Sequence, residues 1–476
     1  MEEWNGGRMG ERSTHGRFPI IPSFHYSSIP SFHPSLVPFF LRLQLRRPPV
    51  KARLVVCVLS LVVFLVLASP LSAGNSAGLK AGVAKIDITP EKPVTMSGYA
   101  SRKDVSKGVH DPLSIRVLAF EAGGKRLVLV STDLIGYYDT TEVMREMLRT
   151  ELNLQPSEVF LSAIHTHSAP TPTLNKERGH ANNVEYTEAL KGKLLEVVRQ
   201  TMGNLEPVSI GTGVGSCPVG VNRRELRIAR TGESSIVLGR NPYGVTDKEV
   251  LVLKVAKADG ALKAVAFDYA VHATCLGPGN YTISGDVLGL AAQCVEKVLG
   301  PEVIAPVFAG ASGDIDPWFR VLPAFNEEPG WVPEPVLLGT FLGQEVVHVY
   351  RAISQTGATD KIATSLLTLQ LPTKPPETPT AEKPPATRPF TITAARLGDI
   401  AFLGLGGEVG TEIGQAIKAG SPCERTFVIT HCNGAGSYLV PKHLHVEKGY
   451  EVNTSPYAPQ AADIVVREAI RLLHGL

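Results

Sequence analysis

The chain has no Cys-x-x-C pair, no excess of either charge and no apolar run long enough to span a bilayer comfortably. Each absence removes a class of answer. Without paired cysteines a thiolate zinc site has nothing to be built from. A formal net charge of +2 gives no electrostatic case for nucleic acid as a partner. Cysteine is scarce: six in 476 residues, with Cys57 inside an N-terminal apolar run. The other five, Cys217, Cys275, Cys294, Cys423 and Cys432, are an odd number, so an exported chain keeps a free thiol or an intermolecular bond. Disulfides are not what holds this chain together.

What is present begins with an address. Arg46, Arg47, Lys51 and Arg53 precede the apolar stretch Leu54 to Ala68, and Ser69-Pro70-Leu71-Ser72-Ala73 follows. Basic, apolar and small-residue segments in that order form a signal peptide, placed at residues 50–73. The expected location is secreted or periplasmic, with a signal anchor as the alternative. Residues 1–49 are rich in Pro, Ser, Phe, His and Arg and duplicate Ile21-Pro22-Ser23-Phe24-His25 as Ile29-Pro30-Ser31-Phe32-His33. No helical or strand period survives there. The segment is expected to be disordered and to precede the native start, near Val50.

The chemistry centres on Val159-Phe160-Leu161-Ser162-Ala163-Ile164-His165-Thr166-His167. The apolar run reads as a buried strand. Two histidines at i and i+2 on extended backbone point to one face, a common way to aim nitrogen ligands at a metal ion. Elsewhere, other apolar strand candidates also end in polar groups: Asp133, His272, Asp314 and Asp316, Glu408, then Asn433 and Tyr438. Ligands of α/β sheets sit beyond strand carboxyl ends. The expectation is therefore one large α/β domain at 79–476. It would hold a mixed, largely parallel sheet flanked by helices, with the site at strand C-terminal ends. Gly123-Gly124 and Asp259-Gly260 read as turns. The stretch from Asp133 to Pro156 holds a helix and makes a strand–helix–strand unit. Residues 372–389, dense in Pro, Thr, Glu and Lys, are expected to be a disordered loop.

Two histidines and a carboxylate with an open position form a catalytic zinc set, and His165, His272 and Glu408 supply those residue types. Several strings carry a resemblance. Leu161 to Pro170 resembles the Thr-His-Thr-His-Ser-Gly-Pro segment of the neutral/alkaline non-lysosomal ceramidases. Ala270-Val271-His272 is similar to their Phe-Ala-Val-His, Leu405-Gly406-Gly407-Glu408 to their Leu-Pro-Gly-Glu, and Asn222-Arg223 to their Asn-Arg. Asn433 to Tyr438, with Tyr450-Glu451 after it, resembles their ending. The resemblance implies Zn2+ held by His165, His272, Glu408 and Tyr438, with His167 and Arg223 beside the metal or on the substrate. It implies hydrolysis of an N-acyl amide in a small-molecule or lipid substrate, with transient contact to a membrane surface. On that reading His167 passes a proton to the leaving amine and Arg223 stabilises the oxyanion. The sequence departs from the family where Gly313-Asp314-Ile315-Asp316-Pro317 replaces Gly-Asp-Val-Ser-Pro. Asp316 there is expected to act as base to an attacking water, without a covalent acyl-enzyme. Its bland alternative is a turn cap before Pro317. A zinc esterase or phosphoesterase on the same scaffold, and a silent metal-stabilised binding protein, are the competing functions.

Overall fold

A computed structural model describes residues 78–319, 334–375 and 385–476. The signal-peptide pattern and the N-terminal duplication lie outside the described residues, as does the tip of the Pro-rich segment, residues 376–384.

Eight strands form the largest sheet, in the spatial order Val307–Ala309, Leu262–Tyr269, Glu249–Lys257, Glu206–Ser216, Lys80–Asp87, Ser114–Ala122, Lys125–Thr132 and Val159–Ala163. The α/β class and the large mixed sheet flanked by helices are as expected. The parallel majority is not: only the pairs at the two edges are parallel, and the interior pairs are antiparallel. The turns explain this. Gly123, Gly124 and Gly260 all have positive φ, which lets the chain reverse within a few residues, and tight reversals make antiparallel neighbours. The parallel edge pair Lys125–Thr132 and Val159–Ala163 is the strand–helix–strand unit, crossing through helix Thr141–Leu152.

A second sheet changes the architecture. Strands Ile362–Pro372, Thr387–Leu397, Ile400–Leu405 and Arg425–Ile429 form a four-stranded sheet. It packs face to face on the first: Leu118, Phe120, Leu129 and Phe160 share one core with Leu397, Phe402, Phe427 and Ile429. Strand side chains alternate between faces, so the neighbours Val117, Val128 and Val130 instead meet Met144, Leu190 and Leu194 of helices Thr141–Leu152 and Ala181–Gly203. Likewise Val250, Val252 and Phe267 meet helices Asp286–Leu299 and Glu334–Ala352. On the far side Ile392, Ala401 and Leu403 pack on helices Thr411–Gly420 and Ala461–His474. The layers run helix, sheet, sheet, helix. Each aromatic sealed between the sheets is worth about 1.5–3 kcal/mol of burial.

The expected loop at 372–389 shortens for the same reason. Pro372 pairs with Thr387 and Gln370 with Pro389, so the two ends of the segment belong to paired strands. Pro389 is tolerated because pairing with the strand on its other side starts only at Ile392. The five described cysteines are free. Among the described residues no helix is long and apolar enough to cross a membrane.

Not every strand-end acid serves the cleft. Asp133 is buried against Arg116 at 3.1 Å and accepts from the Ser114 amide. Asp314 accepts from the Thr411 amide and hydroxyl, both at 2.8 Å, at the start of helix Thr411–Gly420. Both acids hold elements together.

Candidate metal centre

Beyond Ala163 the chain leaves its strand through His165, whose φ of +61° is unusual for a residue with a side chain. The segment is then stapled down. Ile164 donates to Thr132, Thr166 donates to Leu134, and the His167 amide donates to the Ala273 carbonyl at 3.1 Å. Thr166 also bridges Ala273 in parallel. This last contact brings the His165–His167 segment beside His272, which lies three residues past strand Leu262–Tyr269. Glu408 lies three residues past strand Ile400–Leu405 and pairs in register with Tyr438. Two sheets therefore contribute to one place.

The imidazoles are set by backbone carbonyls. His165 donates from Nδ1 to Ile135 O at 2.8 Å, and His272 from Nδ1 to Ser312 O at 2.7 Å. With Nδ1 protonated, each Nε2 keeps its lone pair. Both lone pairs face Glu408: its Oε2 is 3.4 Å from His165 Nε2 and 3.5 Å from His272 Nε2. His272 Nε2 and Glu408 Oε2 are buried and have no hydrogen-bond partner. The third imidazole, His167, places Nε2 3.2 Å from His165 Nε2. One nitrogen from each of His165, His167 and His272 lies within 4.8 Å of the others. Orphaned buried acceptors are rare because each forfeits its hydration without return. Here they converge, as the donor set of a divalent cation does, so the residues present fit a metal. The donor set also explains charge. Burial opposes ionisation of Glu408; positive charge on His165 and His272 outweighs burial and holds the carboxyl well below the usual range, and a cation held by their neutral forms would act in the same sense. Burial, then the neighbouring His165 and His272, keep His167 well below the ordinary histidine value.

A second cluster adjoins the first through Tyr438. The buried Arg223 donates to Glu451 Oε1 at 2.8 Å, Gly313 O at 2.8 Å, Tyr438 Oη at 3.1 Å and Asp316 Oδ1 at 3.3 Å. Glu451 gives its other oxygen to Arg224, also at 2.8 Å. Asp316 is fully buried, with Arg240 Nη1 3.1 Å from Oδ2 and Thr274 donating to Oδ1 at 3.4 Å. It sits on a short strand paired with Val221 and not in a turn cap. Burial works against the Arg223 charge, but Tyr438, Asp316 and Glu451 outweigh it and hold the guanidinium above its ordinary range. Burial, aided by Glu408 and opposed by Arg223, pushes the Tyr438 hydroxyl up.

The cleft over these groups has a volume of about 440 Å3 and is lined by His165, His167, Glu408 and Tyr438 with Met96 and Ile135. Gly98 shapes it: at φ +95°, a Cβ there would sit 2.2 Å from His167 Nδ1.

All the sequence-assigned residues except Asp316 thus meet around the cleft or its Tyr438 wall, and Asp316 connects through Arg223. Two contributors had no assigned role. His431 stacks on His165 with centroids 3.7 Å apart and planes 11° from parallel; burial lowers its pKa well below the usual value. It follows strand Arg425–Ile429 as His165 follows its own, which was the available signal. Glu451 belongs to the Tyr450-Glu451 string quoted from the sequence, but its role as the carboxylate between two arginines shows only in three dimensions.

The described family "Neutral/alkaline non-lysosomal ceramidase, N-terminal" matches residues 79–319. A neutral ceramidase of Drosophila pseudoobscura pseudoobscura is 28% identical over 247 residues, 50% of this chain and 35% of that protein. The neutral ceramidase of Pseudomonas aeruginosa is 27% identical over 246 residues, 48% of this chain and 35% of that protein. The matched stretch spans about a third of the length of these curated relatives. The crystal structure of the Pseudomonas aeruginosa neutral ceramidase superposes with a TM-score of 0.68 at 18% identity, covering 83% of this chain and 74% of that one. A ceramidase complexed with C2 gives 0.67.

Proposed function

The chain belongs to the neutral/alkaline non-lysosomal ceramidase family, and on that premise we propose that it is a zinc-dependent hydrolase of N-acyl amides, ceramide or a related N-acyl compound. The observation that carries this reading is the pair of orphaned buried acceptors, His272 Nε2 and Glu408 Oε2, facing each other beside His165. His165, His272 and Glu408 would hold the ion, with Tyr438 as the fourth ligand. When bound, zinc supplies Lewis acidity toward the amide carbonyl and makes water a competent nucleophile near neutral pH.

The chain's own residues do the rest. His167 is neutral at physiological pH and stands at the cleft wall with Nδ1 unpartnered. It can take a proton from the attacking water and return it to the leaving amine. Arg223 cannot be deprotonated in competition and holds positive charge beside Tyr438, where negative charge develops. We assign Asp316 a positioning role in place of the base role read from the sequence. Its oxygens are engaged by Arg223, Arg240 and Thr274, and a base needs a lone pair facing the proton it takes. Water attack without an acyl-enzyme stays part of the reading, because a carboxylate held between arginines is no nucleophile for an amide.

Export is also proposed, on the signal-peptide pattern alone, and a lipid substrate would be met at a membrane surface. The test is an assay of purified protein against N-acyl lipids with and without chelator, alongside metal analysis. Chelator-sensitive amide hydrolysis with one metal per chain is expected. Esterase or phosphoesterase turnover without amide hydrolysis would overturn the reading.

A further inference from the structure

The cleft does not end at the imidazoles. A second cavity of about 420 Å3 abuts it, and Tyr138 and Ser437 line both. Its floor is the close-packed backbone of Gly406 and Gly434 to Gly436, where Gly436 donates to Gly406 O at 2.6 Å. Its rim carries Asp139, Glu142, Thr368 and Arg388. Tyr138 is the partition, and its backbone is strained: φ is +45°, a region that a bulky aromatic residue seldom adopts. Strain of this kind is sustained where the surroundings impose it, and it gathers at ligand sites.

Resting on the hydrolase reading, we propose that this second cavity is a substrate subsite for a neutral, hydroxyl-rich head group attached to the amine side of the N-acyl bond, with Tyr138 as the specificity-determining wall. The lining selects the chemistry. An alkyl chain would strip water from Asp139, Glu142 and Arg388 and return no hydrogen bond. An anionic head would meet two carboxylates, and Glu142 already engages Arg145 at 2.8 Å. A polyhydroxylated group offers donors to the carboxylates, acceptors to Arg388 and an apolar face to the Tyr138 ring. The acyl chain is left to the first cleft, whose wall includes Met96, Ile135 and Tyr99.

The test separates this subsite from the activity. Two uncleavable analogues of a short-chain N-acyl sphingoid are prepared, the amide replaced by a methylene ether. One carries a single hexose on its primary hydroxyl and the other a bare hydroxyl. Calorimetric titration of the full chain is expected to give about tenfold tighter binding of the hexose analogue, equivalent to about one hydrogen bond to a charged group. In Arg388→Ala the ratio is expected to fall toward one. If that variant does not fold, Thr368→Val on the exposed strand face is expected to reduce the ratio partially. Equal binding of the two analogues by wild-type protein, or an undiminished ratio in the folded variant, overturns the subsite. A preserved preference in a protein that hydrolyses no N-acyl substrate would instead sink the hydrolase reading and leave the subsite standing.

Discussion

The two clusters that meet at Tyr438 are built on opposite terms. On the arginine side the carboxylate oxygens are matched, although Arg224 Nε is buried without a partner: Glu451 gives one oxygen to Arg223 and the other to Arg224, each at 2.8 Å. On the imidazole side, Nδ1 of His165 and His272 is matched and the facing atoms are not: His272 Nε2 and Glu408 Oε2 have no partner. A closed network fixes shape, and convergent unmatched lone pairs are a site kept for a ligand. The difference predicts that mutations on one side change what binds, and on the other side whether the scaffold stands.

The largest effect is expected on the unmatched side. His165→Ala and His272→Ala should each reduce stoichiometric zinc to none by elemental analysis, with the fold retained in circular dichroism. Retention of one metal per chain in both would move the site elsewhere. On the matched side, Glu451→Ala leaves two buried guanidinium groups without their shared carboxylate. That should destabilise the protein by about 3–5 kcal/mol in denaturant titration. Arg223→Ala should keep its metal and lose turnover; loss of metal as well would show that the two sides are not separable.

A smaller effect tests the border. His431 touches His165 by stacking, so it acts by holding that ring. His431→Ala should weaken zinc binding by about 10- to 100-fold, the usual penalty for removing a ligand's support. His431→Phe should restore most of it, because a flat ring suffices to stack. Failure of that rescue in competition titrations would mean that His431 contributes its nitrogens.

Much of the imidazole side was legible in the sequence because short-range rules govern it. The His-x-His spacing after an apolar strand marked His165 and His167, but not through the extended backbone expected of them: the strand ends at Ala163 and His165 has φ +61°. His272 and Glu408 followed from the same strand-end pattern. Asp133 and Asp314 satisfied that pattern and turned out to bind Arg116 and Thr411, because partner choice depends on which elements pack together. The second sheet escaped for a related reason. Ile362 to Pro372 runs into proline at its end, and its strand character comes from pairing with Thr387–Leu397. Asp316 was read as a base without its partners, because nothing local announces the two arginines from a distant hairpin that engage it.

The smallest effect asks whether every orphaned buried oxygen implies a metal. Asp268, on strand Leu262–Tyr269, has one. Its Oδ2 accepts from the Val428 amide at 3.1 Å, tying the two sheets together, while Oδ1 is buried with no partner. Among the described residues no other metal-binding group converges on Oδ1 as Glu408 and His272 converge on each other. A proton answers the problem here. Burial raises the carboxyl from its usual range to about 7; Lys418 opposes the shift, and Asp247 and Glu249 add to it. The sign follows. Between the ordinary carboxylate pKa and about 7 the folded state holds a proton that the unfolded chain has released. Stability from this group is therefore full below the ordinary value and is lost as pH rises toward 7. The slope should be about 1 kcal/mol per pH unit between pH 6 and 7. Asp268→Asn, neutral at every pH, should remove that slope. It should match wild type below the ordinary carboxylate pKa, exceed it increasingly as pH rises toward 7, and keep that excess at pH 8, with zinc content unchanged. If the substitution instead lowered zinc content, the unmatched oxygen of Asp268 would belong with the imidazole side, and orphaned acceptors in this fold would have a single explanation.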